Sequence, residues 1–366
     1  MQWIAKIPGD NPCEAILDLD EVDDGLRGYV LFTYLRGPSD FAFINLPSSP
    51  KTHDFSVTFR PIYPGYLTEM KPEHIAEYYP DGYDVSAQVT LTFGEEHLDV
   101  SWVTNKGVTG STTVPNSHAD KPSELEVDQS ITTWKDFKRE TSSITPERFV
   151  FRGQTCGWRL RTAFHRTGRN NLIKYVGEDL PRVNKAIIGK TKHLFNRQND
   201  DENAAFIHLL QHHGFPTPLL DWSESPFIAA FFAYQTRRSA SDDQSAVRIY
   251  VFDKLYWQRG LKQLSSIQLM APHVSIVEPL GIENDRAMPQ QALSTVTNVD
   301  DVETYILQRS RELNHKFLYA IDLPYEDRLQ ALRDLAMMGI TAGAMFPGLV
   351  GTCQEMTDRI FGYDRG

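Results

Sequence analysis

Three clusters in the chain carry residue types that can do chemistry. The first is Phe151-Arg152-Gly153-Gln154, at the end of a segment that reads as a strand. An arginine there presents planar donors suited to a phosphate, and the following glycine lets a ligand approach the backbone. The second runs from Gln211-His212-His213-Gly214 through Leu219-Leu220-Asp221-Trp222-Ser223-Glu224-Ser225-Pro226 and gathers His, Asp, Trp, Ser and Glu around a turn. Polar groups at such a turn can act from an apolar support. They can equally be structural: Asp221, Ser223 and Ser225 are good helix caps, and His212 is a histidine type that bonds a backbone carbonyl. The third is Asn284-Asp285-Arg286-Ala287-Met288-Pro289-Gln290-Gln291, which in isolation reads as a polar surface loop.

Other chemistries find less support. His212 and His213 are neighbours, and on a helix they point about 100° apart, which makes them poor co-ligands of one metal. No GxGxxG, Walker A or GxSxG pattern occurs. The three cysteines, Cys13, Cys156 and Cys353, are widely separated and give neither a disulfide framework nor a zinc site. No metal is expected.

The elements that must position these clusters divide into two regions. Residues 1–115 read as a small β domain. Val85, Ala87, Val89, Leu91 and Phe93 alternate with polar residues, Gly94-Glu95-Glu96 turns the chain, and Leu98, Val100 and Trp102 continue on a partner strand. Short antiparallel strands with one apolar face predict a barrel or a sandwich. The polar, proline-bearing stretch 116–130 is expected to be a linker. Residues 131–366 alternate helices and strands, so the fold class is α+β with a C-terminal mixed α/β domain. Within it Ala205, Phe206, Leu209 and Leu210 form a helical stripe that stops at Gly214. Ser225 caps and Pro226 opens a helix that is apolar all round through Ala233, and Arg248–Phe252 and Phe317–Ile321 are strands.

With 366 residues, 41% hydrophobic and 23% charged, the chain can bury sizeable cores in two or three domains. A net charge of −11 argues against a surface that coats nucleic acid, but not against a small anion gripped by a few arginines. The sequence shows no signal peptide and no membrane-spanning run, and a cytoplasmic location without membrane partners is expected.

Taken together the clusters resemble the FRG-domain family. The resemblance rests on Phe151-Arg152-Gly153-Gln154, Gln211-His212, Gly214, Pro216-Thr217, Leu219-Leu220-Asp221-Trp222 and Pro226. It continues at Arg286, Gln290-Gln291, Phe346-Pro347, Leu349 and Gly351, in order over about residues 130–355. Ala292 and Pro218 depart from the pattern, standing where the family often has glycine and arginine. More remotely, Phe151-Arg152-Gly153 and Ser223-Glu224-Ser225 before an Ala/Phe-rich helix are similar to the first two signature positions of ADP-ribosyltransferases. That second resemblance implies a split-sheet fold and NAD as substrate, with Arg152, Gly153, Gln154, Trp222, Ser223 and Arg286 as binding residues. It also implies His212, Asp221, Ser223 and Gln290, with Arg152, as the catalytic set. Gln290 stands where a transferase has glutamate; an amide can hold a ribose hydroxyl but is no general base, and Asp221 and Glu283 are the candidates to replace it.

The implied function is ADP-ribosyl transfer to a protein or nucleic acid, or NAD hydrolysis, of the kind found in toxins and antiviral defence effectors. The alternative is a non-catalytic nucleotide sensor whose β domain recognises a protein partner. A metal-free nuclease using His212 and Asp221 is the third reading.

Overall fold

The computed structural model describes residues 1–9, 11–63, 68–80, 82–236, 245–264 and 271–361. The chain opens with β1 (Gln2–Ile7), β2 (Cys13–Val22), β3 (Gly25–Tyr34), β4 (Ser39–Leu46), β5 (Thr52–Thr58) and β6 (Arg60–Ile62). After a short helix, Pro72–Tyr78, come β7 (Ser86–Phe93), β8 (His97–Thr104) and β9 (Thr109–Pro115). They form two antiparallel sheets, ordered β1-β2-β3-β4-β6 and β5-β7-β8-β9. Neither is closed as a barrel, which corrects one of the two expected architectures: the sheets face each other across a shared core that includes Leu17, Ile44, Val57, Leu91 and Leu98. The period-two pattern of 85–93 works as expected, since Ala87 and Leu91 point into that core and Gln88 points out.

The segment 116–130 is laid along the C-terminal region rather than left as a free tether. Leu125 enters the core there, the backbone amide of Glu124 donates to the Glu303 carboxylate, and the backbone amide of Asp128 donates to the Ala320 carbonyl. Arg159, with almost no exposed side chain, ties this strap to the helix Val302–Glu312 by pairing with Glu124 and Asp301 at 2.9 and 3.3 Å.

The C-terminal region is built on six antiparallel strands: β10 (Phe149–Gln154), β11 (Leu219–Ser223), β12 (Ala246–Asp253), β13 (Val274–Val277), β14 (Ala292–Thr297) and β15 (Leu318–Pro324). Their order is β13-β14-β11-β10-β12-β15. Helices cover both faces. The helices Trp134–Thr141, Pro226–Tyr234 and Arg328–Met337 pack on Phe151, Ile249, Val251 and Ile321. On the other face Trp257, Val302 and Ile306 meet Val150, Tyr250 and Phe252, and the helix Asp200–His212 covers the β11–β14 end through Phe206 and Leu210. The region is therefore α+β with an antiparallel sheet.

The Pro226–Tyr234 helix shows why this layering is stable. Ser225 accepts from the Ile228 amide and Pro226 occupies the first turn, where its missing N–H costs nothing. The helix then buries Ile228, Phe231 and Tyr234, each contributing roughly 1.5–3 kcal/mol of transfer free energy. Among the described residues no helix is long and apolar enough to cross a membrane.

Candidate functional site

The six-stranded sheet is nearly parted in the middle. β10 shares six paired positions with β12, and β11 shares five with β14, but β10 and β11 meet at one, Phe151 opposite Ser223. Beyond that point the strands diverge and leave backbone groups without a ladder partner. Arg152 takes over: its Nη1 donates to the Asp221 carbonyl at 2.7 Å, so the side chain bridges the opening. Its Nε is buried and has no partner. Burial holds this guanidinium below arginine's usual pKa; the Asp221 carboxylate opposes that shift and the charge of Arg166 adds to it.

Arg166, at the end of the short helix Ala163–Arg166, is likewise held low by burial and by the charge of Arg161. Arg161 is neutralised by Asp300 at 2.5 Å, whereas Arg166 has no ion pair among the described residues. Two arginines, one with an orphaned donor and one unpaired, are thus near enough for the charge of Arg166 to act on Arg152 at the opening. Such an excess of positive charge, buried at Arg152 and reached by solvent at Arg166, favours an anion.

Asp221 sits beside them, partly exposed, with Oδ1 accepting from the Ser294 hydroxyl at 3.2 Å. Next to it lies a histidine pair whose rings are 4.4 Å apart, His208 and His212. Burial, and then the neighbouring His212, push His208 down to about 4, so it is neutral at pH 7; Asp221 pulls the other way. His212 Nδ1 lies 2.9 Å from the His208 carbonyl and 3.0 Å from Asn284 Nδ2. A protonated Nδ1 donates to the carbonyl and a bare one accepts from the amide, so the two contacts select opposite tautomers.

The other expected residues are committed to holding the fold. Gly153 faces the Pro226–Tyr234 helix: a Cβ there would stand 1.8 Å from the Ala229 carbonyl oxygen, so its bareness serves helix packing rather than ligand approach. Trp222 is in the core, its ring 5.4 Å from that of Phe252 and its indole N–H donating to Thr295 Oγ1 at 3.1 Å, not in a pocket wall. Ser223 gives its hydroxyl proton to the Gln290 carbonyl at 2.8 Å and accepts from the Ser225 amide. Gln290 is buried, and its side-chain amide donates to the Met345 carbonyl at 2.8 Å. Arg286 donates to the carbonyl of His212, closing that helix, and lies 5.4 Å from the Phe346 ring. Gln154 reaches the Trp158 carbonyl. Glu283 accepts from the His193 amide, and does not reach the arginines.

The structure therefore brings together Arg152, Asp221, His212 and Asn284 and adds Arg166 and His208, which the sequence clusters did not include. His208 could have been found as the residue one helical turn before His212. Arg166 is one arginine in a stretch with several, and only the fold distinguishes it. Among the described residues no cluster of His, Cys, Asp and Glu is arranged to hold a metal ion.

Residues 147–242 match the profile of the FRG domain family. The match spans β10, both turns of the second cluster and the buried Pro226–Tyr234 helix, while the segments around Gln290 and Phe346 lie beyond it. No curated protein and no solved structure matches the chain.

Proposed function

Because residues 147–242 match the FRG domain family and Arg152 lies on β10, the first strand of that segment, we propose that this region binds NAD at the opening between β10 and β11, as an ADP-ribosyltransferase-like site. The observation that carries this reading is the pair Arg152 and Arg166, an orphaned donor where the sheet parts and an unpaired cation whose charge acts on it. A pyrophosphate supplies two negative groups at that scale, and each charge-assisted hydrogen bond contributes about 1.5–3 kcal/mol.

Turnover would rest on Asp221, the carboxylate beside the arginines. The bond from ribose C1′ to the nicotinamide nitrogen breaks with its electron pair leaving on nicotinamide. An acceptor oxygen or nitrogen, from water or a macromolecule, bonds to C1′, and its proton passes to Asp221. A second reading, a sensor that binds without turnover, is favoured by Ser223 and Gln290, whose polar groups are already engaged with backbone.

Calorimetry with NAD, beside an assay of nicotinamide release, tests both. Arg166→Ala, a change at an exposed side chain, is expected to weaken binding ~10–100-fold without loss of fold. Asp221→Asn is expected to keep binding and lose release. Binding without release in the parent protein selects the sensor, and absence of NAD binding refutes the proposal.

A further inference from the structure

The two N-terminal sheets do not close on each other along their whole length. At one end Leu19 and Leu46 are fully packed. Towards the other end the sheets part around a hollow of about 450 Å³. There Val30, Phe32, Val89, Val100 and Trp102 point inward on the same faces as those packed residues yet keep partial exposure. The space is within the range of small-molecule sites, roughly 300–1,000 Å³. Its lining is overwhelmingly apolar, and apolar walls without a facing partner forfeit dispersion contact that an occupant would restore.

The lining also carries Asn11, Asp84, Thr104, Lys106 and Thr112, which are exposed or half-exposed, and one buried charged side chain, Asp40. On β4 the inward positions are Asp40, Ala42, Ile44 and Leu46, so Asp40 stands where the pattern calls for another hydrophobe. It is only 6% exposed, and its Oδ1 has no hydrogen-bond partner. The Tyr34 hydroxyl donates to the same carboxyl, and burial raises its pKa to about 6, against that hydrogen bond, so it remains mostly ionised at pH 7. The ring pair Tyr79 and Tyr83, with centroids 5.5 Å apart, stands at the same end and senses the Asp40 charge. An orphaned carboxylate oxygen in an apolar hollow is destabilising, and a donor arriving with a ligand removes that penalty.

We propose that this hollow is a binding site for a small apolar molecule bearing a protonated amine, its body among Phe32, Val89, Val100 and Trp102 and its ammonium against Asp40. The site is remote in the chain from the FRG segment and stands or falls independently of it.

The test uses the full chain with the fluorescent probe N-phenyl-1-naphthylamine, displaced by decylamine or by decanoate, which share a chain and differ in head-group charge. Saturable probe uptake is expected, with decylamine displacing at concentrations at least ten times lower than decanoate. Asp40→Asn should retain uptake and lose that preference. Ala5→Trp, which fills the hollow from β1, should abolish uptake, and Val100→Trp serves the same purpose from β8; far-UV circular dichroism identifies which of the two remains folded. Absence of uptake by the parent protein overturns the proposal. So does uptake that survives in a folded filling variant, or a decanoate that displaces as well as decylamine.

Discussion

Gly153→Ala isolates the packing role of the glycine that follows Arg152. The added Cβ would lie 1.8 Å from the Ala229 oxygen and 2.8 Å from both the Ala229 carbonyl carbon and the Ala233 nitrogen. Real Cβ contacts do not fall below 3.0 Å, so strand and helix must separate by more than 1 Å. The obstacle is helix backbone, which no rotamer change can clear, and the same helix holds Ile228, Phe231 and Tyr234 in the core. Overpacking of this kind costs ~1–3 kcal/mol, and a backbone obstruction places this variant at about the upper end. Gly177→Ala is the matched control, because a Cβ there meets nothing within 4 Å; it is expected to be neutral or stabilising by about 0.5–1 kcal/mol. Urea titration followed by far-UV circular dichroism measures both, provided the slopes agree. If Gly153→Ala unfolds at the same urea concentration as the control, the packing argument is wrong and the glycine is there for a ligand.

Two other perturbations follow from the same accounting of buried polar groups. Gln290→Glu would install the acid that a transferase carries, but it would set a carboxylate against the Met345 carbonyl in place of an N–H donor; a loss of ~2–3 kcal/mol in chemical denaturation and no gain in nicotinamide release are expected, and a faster release would show that the site accommodates the acid. Asp18 is fully buried, and burial raises its pKa to about 7 against hydrogen bonds from Tyr29 and Gln2. A carboxyl raised on folding binds its proton more tightly in the native state, so its cost to stability grows as pH rises from about 4 to 7 and levels off above. Asp18→Asn should remove that slope and stabilise the protein at pH 8 by ~1–4 kcal/mol; a slope unchanged by the substitution would place the titrating group elsewhere.

What could be read from the sequence was what is written locally. The alternation at 85–93 became β7, and Ser225-Pro226 marked a helix start to the residue because cap and first turn are chemistry between near neighbours. β11 was not legible: Leu220 and Trp222 are buried on one face and Leu219 and Ser223 on the other, so Leu219–Ser223 has no period and reads as a turn. That one omission hid the architecture of the site, since the parting of the sheet exists only between β10 and β11. It also explains why Ser223 and Gln290 attracted functional roles: the hydroxyl and the carbonyl it meets are 67 residues apart, and no spacing rule links them. Arg166 and Arg152 come together in the same non-local way.

The contacts between the first strands and the C-terminal sheet bear on how such a chain can change over evolutionary time. Gln2 donates to the Asn298 carbonyl and accepts from the Asp300 amide, while Asp20 accepts from the amides of Asn170 and Asn171. Both sets satisfy buried backbone of the C-terminal part with side chains of the N-terminal strands. A recombination that placed an unrelated β unit ahead of residue 131 would therefore leave those amides and that carbonyl dry and unanswered, as well as lose the strap along the sheet. The N-terminal strands are thus not an interchangeable attachment: they and the C-terminal sheet can only be inherited as a pair, or replaced together with the backbone groups each supplies to the other.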